Sequence, residues 1–440
     1  MKQNSFLDKF TEVAMKLGTQ IHLRSLRDAF SIIMPFFILA GVSTLINSVI
    51  LANLLEGEAL VTAQIWGRMI ANGTLNISSL LVAPAIAFTI AKNRGFENQI
   101  SAVAVAITTL VIMMPMTLNL TPVGGAEAAQ ITGVLGYNEL GTKGMFAGII
   151  VGIVATECYI KLASIKALKI NLGPDVPEMV GRSFSVMIPV IITLSVAGLI
   201  SFALNVFFTT DLIALVSKIV QEPLRAFNTS LIGTLVIYST GNLLFALGIH
   251  QSVINSSILM PLLLVNTNEN MLAYAAGQEI PYILNSVFVP TFGMIGGTGS
   301  TICLIIATII FGKSRATKDI ARLATAPGIF NINEPVIFGF PIVFNLPMMI
   351  PFVLLPAFGI AFAYFATVLG FMNHVVVMIP WTTPPLLSAY LATGGDFRAV
   401  IVQLIIIAAG VVLYLPFMKI SERVALGVEE RVAAEAKTKE

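Results

Sequence analysis

TAPGIFNINEPVIFGFPIVFNLPMMIP, residues 325–351, is apolar for most of its length, yet it carries Asn331, Asn333 and Glu334 within four positions. Pro335 follows the glutamate directly, and Pro327, Pro341 and Pro347 divide the rest. A carboxylate at the centre of a bilayer costs about 3 kcal/mol or more, so acids in such stretches face a cavity or a partner and carry function. Proline removes a backbone donor and kinks or ends a helix. The stretch therefore predicts a re-entrant hairpin over 325–349, with the Asn-x-Asn-Glu-Pro turn at its tip. Irregular backbone of this kind survives at membrane depth only where protein or water surrounds it.

The rest of the chain supports a membrane setting. Hydrophobic residues make up 56% of the 440 and charged residues only 11%, against about 25% charged in an ordinary soluble domain. The net charge of +2 leaves no basic field for nucleic acid. The first 27 residues are polar, with Lys2, Lys9, Lys16, Arg24 and Arg27. They lack the apolar core and small-residue site of a cleavable leader, so the first span is read as its own insertion signal. Cys158 and Cys303 lie far apart in apolar runs. They read as packing residues rather than as a disulfide or metal pair.

A crossing needs about 20 apolar residues. Ala29–Ala52, Leu75–Ala91, Ile100–Leu120, Gly144–Leu162 and Ser183–Phe208 meet that need. Basic residues fall in alternate loops, at Lys92 and Arg94 and again at Lys161, Lys166 and Lys169, which places the N-terminus in the cytoplasm. Glu157 and Lys161 are four apart and are read as a helix-surface pair. Asp211–Phe227 reads as an amphipathic surface helix. Leu231–Val265 is long enough for two short spans meeting near His250, followed by an outside loop at Asn266–Gln278. Ile280–Gly312 then ends inside at a basic loop containing Lys313, Arg315, Lys318 and Arg322. Ile350–Phe371 and Arg398–Phe417 complete about ten spans, with a second hairpin over 374–393 carrying Pro380, Pro384 and Pro385. The charged tail Glu422–Glu440 reads as cytoplasmic and partly disordered. The expected fold class is an all-α integral membrane protein with two re-entrant hairpins. Residues 1–210 form a plain bundle suited to dimerisation, and 211–440 form the working half.

Glu334 is the leading candidate for chemistry, as a buried acid able to take a proton; its bland alternative is a structural hydrogen-bond network with the preceding asparagines. His250 lies at the suspected break between two short spans, the kind of place where transporter sites are built. Its alternative is a satisfied core histidine. Trp381, between prolines, offers an aromatic face to the apolar side of a sugar ring, or belongs to an interfacial belt. Asn242, Gln251, Asn331 and Asn333 are candidates for binding hydroxyls. The run Gly293–Thr301, which includes Gly297 and Thr298, lacks the Gly-Lys-Ser/Thr ending of a phosphate loop. It reads as close helix packing or as a helix break whose amides face a ligand. The basic loop Lys313–Arg322 is a topology signal that would also suit an anionic or phosphorylated partner. Nothing implies a cofactor or a metal.

With GIFNINEPVIFGFPIVFNLPMMIPF, GIHQ at Gly248–Gln251 and IPWTTPP at Ile379–Pro385, the chain resembles enzyme IIC. This is the membrane subunit of the phosphoenolpyruvate-dependent sugar phosphotransferase system, here in its lactose, cellobiose and N,N′-diacetylchitobiose family. The resemblance spans essentially the whole chain. It implies a homodimer in the bacterial cell membrane with both termini cytoplasmic. It also implies inward translocation of a β-linked disaccharide, diacetylchitobiose or cellobiose, with phosphorylation of its 6-hydroxyl. Carried onto this chain, Glu334 and His250 hold that hydroxyl. The phosphate comes from a phosphocysteine on a separate IIB subunit, itself charged by IIA. A proton-coupled sugar symporter, with Glu334 and His250 as its proton relay, is the rival reading.

Overall fold

The computed structural model describes residues 20–120, 129–171, 177–221, 223, 230–340 and 342–437. The described residues divide into two compact units, one within 20–43 and 64–223, the other within 44–63 and 230–437. Among the described residues, six helical stretches are long and apolar enough to cross a membrane, including Ile21–Leu54, Met187–Phe208 and Phe397–Arg423.

In the earlier unit, α1 (Ile21–Leu45), α2 (Ser78–Asn93), α3 (Gln99–Ile112), α4 (Met145–Ser164) and α5 (Met187–Phe208) correspond to the five expected crossings. The α2–α4 pair is the tightest. A Cβ on Gly148 or Gly152 would lie 3.0 and 2.8 Å from the Ser79 and Ala83 carbonyl oxygens. Small residues let backbones approach where lipid supplies no hydrophobic drive between helices. The third crossing is shorter than expected: α3 ends at Ile112, and Thr117–Leu120 pairs antiparallel with Ala129–Thr132 as β1 and β2. Glu157 is structural, but its partners are Arg94 at 2.9 Å and His22 at 3.0 Å, not Lys161. The surface helix begins as expected, with Asp211 Oδ1 accepting from the Ala214 N–H. It runs over Leu212–Val216 and a π-helical Ser217–Gln221; the remainder of its expected length, apart from residue 223, lies outside the described residues.

In the later unit the expected break is present. Helix α6 (Leu231–Ala246) ends before His250, and α7 (Met260–Ala275) resumes after short 3-10 and π turns. Asn266–Gln278 is not an outside loop, because α7 continues through most of it. Asn266, Asn268 and Asn270 are buried. Two of their amides meet carbonyls rather than water: Asn266 Nδ2 donates to Leu284 O at 2.9 Å, and Asn270 Nδ2 to Tyr282 O at 2.7 Å and Val375 O at 2.9 Å. The run Ile280–Gly312 is not one span but α8 (Phe288–Gly293), a glycine-rich turn and α9 (Ile302–Phe311).

The supposed basic loop is helical. It opens α10 (Arg315–Ile329), which leads to the hairpin tip; α11 (Glu334–Gly339) leaves it, and α12 (Leu346–Val368) comes next. The start of α10 is clamped by Glu422, which is buried. Its carboxylate accepts from the Lys313 and Ser314 N–H groups at 3.2 and 3.3 Å and from the Thr317 hydroxyl at 2.7 Å. The second hairpin pairs an extended arm with α13 (Leu387–Ala392), the Val376 and Val377 N–H groups both donating to Ala392 O. The tail expected to be partly disordered continues α14 (Phe397–Lys437). Its run of Ala, Glu, Lys and Arg explains this, since these are strong helix formers.

Replacing Glu422 by Ala leaves part-buried donors unpaired and costs about 1 kcal/mol or more. Glu422→Ala is expected to lower the thermal unfolding temperature in detergent, and Glu422→Gln, which keeps one acceptor oxygen, to lower it less. Asp396 closes the second hairpin at its root. It accepts from the Asn373 N–H at 2.7 Å and from the Arg398 N–H and Nε at 2.9 and 3.0 Å. Burial alone pushes its carboxyl up, but Arg398 and these N–H groups outweigh burial and hold it below the ordinary carboxylate range. A depressed folded pKa contributes stability above the free value of about 3.9, lost as pH falls through the folded value. The stability difference between wild type and Asp396→Asn should therefore be constant from about pH 5 to 7 and shrink below about pH 4 in a detergent unfolding series.

Candidate functional site

The site is built around the turn between α8 and α9. Gly296, Gly297 and Gly299 have φ of 74°, 103° and 79°, the left-handed region that glycine enters without a Cβ clash. A Cβ on Gly297 would lie 2.4 Å from Asn333 Cγ, so the glycine also makes room for the hairpin tip. Several carbonyls of the turn find side-chain donors. Tyr238 OH bonds Gly293 O at 3.3 Å, Thr301 Oγ1 bonds Gly296 O at 2.8 Å, and Tyr414 OH bonds Gly299 O at 2.8 Å. Asn333 Nδ2 donates to Thr298 O at 2.7 Å and Thr301 Oγ1 at 3.0 Å.

Asn331 joins three segments. Its Oδ1 accepts from the Gly296 N–H at 2.7 Å, and its Nδ2 donates to Trp381 O at 2.7 Å and Thr383 O at 3.1 Å. Its own φ is 62°, a conformation asparagine tolerates better than most side chains. The tip, the glycine turn and the second hairpin are thereby one hydrogen-bonded piece. Asn331 uses both its Oδ1 and Nδ2, and Asn333 its Nδ2, on protein partners, which gives both a positioning role beside the hydroxyl binding that the sequence suggests.

Glu334 differs. It opens α11, where Pro335 needs no N–H partner. Its side chain is exposed, which corrects the expectation of a buried acid, and among the described residues its carboxylate has no partner. The tip keeps it out of the protein interior while the amides beside it are tied down. Trp381 is also exposed, its carbonyl held by Asn331.

His250 lies at the α6–α7 break. Its Nδ1 accepts from the Ser252 N–H at 3.2 Å and pairs with Ser252 Oγ at 2.9 Å. A backbone N–H can only donate, so in the neutral ring Nε2 carries the proton. Phe245 lies against the ring at 4.8 Å. The break is tied to the hairpin by the Phe344 N–H, which donates to Ala246 O at 2.9 Å, and Gly248 faces the Phe344 ring. Gln251 Oε1 accepts from Asn255 Nδ2 at 2.6 Å. Asn242 is fully buried, and neither of its amide atoms has a partner among the described residues; the structure does not open it to a ligand.

Thr298 and Gly297 lie beneath Asn333, so they shape the site from behind. Gln403 escaped sequence reasoning. Buried on α14, it accepts from the Leu386 N–H and donates to Thr291 O at 2.6 Å and Ser388 Oγ at 3.2 Å. A lone amide inside the apolar run 399–415 was the available signal.

Broken helices, two hairpins and an exposed acid on a rigid tip define a multi-pass membrane transport protein. More narrowly, the chain belongs to the phosphotransferase system EIIC family, which it matches over residues 27–356. It is 32% identical over 427 residues to the oligo-beta-mannoside-specific EIIC component of Bacillus subtilis, covering 96% of this chain and 95% of that one. It is 30% identical to the cellobiose-specific EIIC component of Geobacillus stearothermophilus, covering 94% and 93%. The structure superposes with a TM-score of 0.89 and 31% identity on ChbC, the IIC component from the N,N′-diacetylchitobiose-specific phosphotransferase system, covering 97% and 99%. As an EIIC component it takes up a sugar and works with IIB and IIA proteins.

The three Asn331 bonds are worth about 1 kcal/mol each. Asn331→Gly keeps the left-handed backbone and removes only the bonds, so it should lower the unfolding temperature. Asn331→Ala adds about 1 kcal/mol of left-handed strain and should lie below it in the same detergent assay.

Proposed function

We propose that this chain binds a β-linked disaccharide, diacetylchitobiose or cellobiose, carries it inward, and presents its 6-hydroxyl to phosphorylated IIB. The observation that carries the reading is Glu334, an exposed carboxylate without a partner among the described residues, on a tip whose neighbouring amides are engaged. Family membership and the sugars in its relatives' names support the substrate class.

Phosphoryl transfer asks chiefly for positioning and for a group that orients the nucleophile and takes its proton. In the proposed step the sugar O6 attacks the phosphorus of the IIB phosphocysteine. The O–P bond forms as the S–P bond breaks, the cysteine leaves as thiolate, and the O6 proton passes to the Glu334 carboxylate. His250, with Nδ1 engaged by Ser252, turns its Nε2–H to orient the hydroxyl. Trp381 stacks on the sugar's apolar face, and Gln251 lines the approach. Both termini lie in the cytoplasm, as the basic segments favour, and residues 1–210 hold the contact of a homodimer.

The test is uptake into vesicles bearing the chain, with and without phosphorylated IIB inside. Sugar phosphate that forms only with IIB is the expected product; free sugar accumulated on a proton gradient would replace this reading with a symporter. Glu334→Gln should lower the phosphorylation rate roughly 100-fold or more, while binding of the unphosphorylated sugar weakens far less. Normal phosphorylation by that variant would remove the base role.

A further inference from the structure

We infer that the outward face of α10, from Arg315 to Phe330, is the docking surface for the phosphorylated IIB protein; this rests on the function proposed above. The helix has two unlike faces. Ala321, Ala324 and Gly328 are buried, and a Cβ on Gly328 would lie 2.9 Å from Ile305 Cδ1. Arg315, Asp319, Arg322, Leu323, Ala326 and Phe330 are exposed, at spacings that put them on one side of a helix.

That side does not suit lipid. Leu323 is 78% exposed, yet its neighbour Arg322 pairs with Asp319 at 3.3 Å with both side chains more than half exposed. Charged groups do not sit in that state in hydrocarbon. An apolar side chain set among solvated charges is instead the mixed composition of a protein-binding patch. Lys313, Arg315, Lys318 and Arg322 accompany one exposed carboxylate, Asp319, so the patch is cationic. A phosphorylated partner brings the complementary charge.

Two further features fit a donor. The cationic end is rigid, because Glu422 holds the Lys313 and Ser314 N–H groups and the Thr317 hydroxyl. The face also leads to the chemistry: from Phe330 the chain passes through Asn331 to Glu334, the group proposed to meet the sugar. A protein seated on α10 is thereby placed at the segment that positions the acceptor hydroxyl. The sequence reading of Lys313–Arg322 as a topology signal explains the charges but not the exposed Leu323 and Phe330 beside them.

The experiment uses the full chain in vesicles and the IIB protein that supports sugar phosphorylation in the uptake assay. If no IIB does so, the proposed function has failed and the docking question does not arise. With an active IIB, Arg315→Glu/Arg322→Glu and, separately, Leu323→Ser are compared with wild type. The expected result is a KM for phosphorylated IIB raised roughly tenfold or more by the charge reversal, with a flattened dependence on salt. The rate at saturating IIB and the affinity for free sugar stay unchanged, and Arg315→Lys/Arg322→Lys restores KM. Leu323→Ser raises KM without altering the salt dependence. An unchanged KM in both variants overturns the proposal, as does an equal loss of sugar affinity. The assay is repeated in vesicles of neutral lipid alone and with a quarter anionic lipid. An effect of the substitutions confined to anionic vesicles would reassign the patch to lipid headgroups. A change in oligomeric mass would reassign it to a second copy of the chain.

Discussion

The side-chain amide of Asn331 is the constraint on which the rest of the site depends. Through one accepted and two donated hydrogen bonds it connects the glycine turn, the hairpin tip and the second hairpin. These segments have few regular backbone partners of their own. In a membrane an unsatisfied backbone group costs several kcal/mol, so an irregular site survives only if side chains do what helix ladders do elsewhere. Asn333, Tyr414, Tyr238 and Gln403 extend the same solution. The buried asparagines of α7 apply it to the loop before α8.

This division of labour explains why Glu334 and His250 differ from the amides around them. The Asn331 amide and the Asn333 Nδ2 are held by protein partners, which ties the tip to its neighbours. Glu334 is left exposed, without a partner among the described residues and able to respond to a ligand. His250 has one ring nitrogen fixed by Ser252, which sets the tautomer. A fixed scaffold carrying an exposed carboxylate is what the proposed phosphoryl transfer would need, since there the protein contributes position and charge more than covalent chemistry.

Glu422 shows the same logic away from the site. A buried carboxylate in an apolar helix would be costly alone, but it accepts the donors that α10 leaves unpaired at its start. The basic segment is thereby a capped helix rather than a loop, and its exposed side becomes a defined surface.

The sequence by itself determined the membrane setting, the helical class, the break near His250 and the two hairpins. All of these come from apolar run length and from prolines and glycines that no continuous helix accommodates. It also made Glu334 the leading candidate, because an acid in an apolar run is costly in lipid. Only the tertiary structure decided what each polar residue does. Asn331 and Asn333 read as ligand groups until their partners, 50 residues away in the case of Asn331 and Trp381, are known. Asn266–Gln278 reads as an outside loop from span parity and its lack of Lys or Arg, yet it is mostly helical, and Asn266 and Asn270 meet carbonyls inside the protein. The exposure of Glu334 and the burial of Asn242 were equally illegible. Local sequence sets which backbone conformations are possible. The hydrogen-bond partner of a side chain depends on which distant carbonyl the fold brings within about 3 Å.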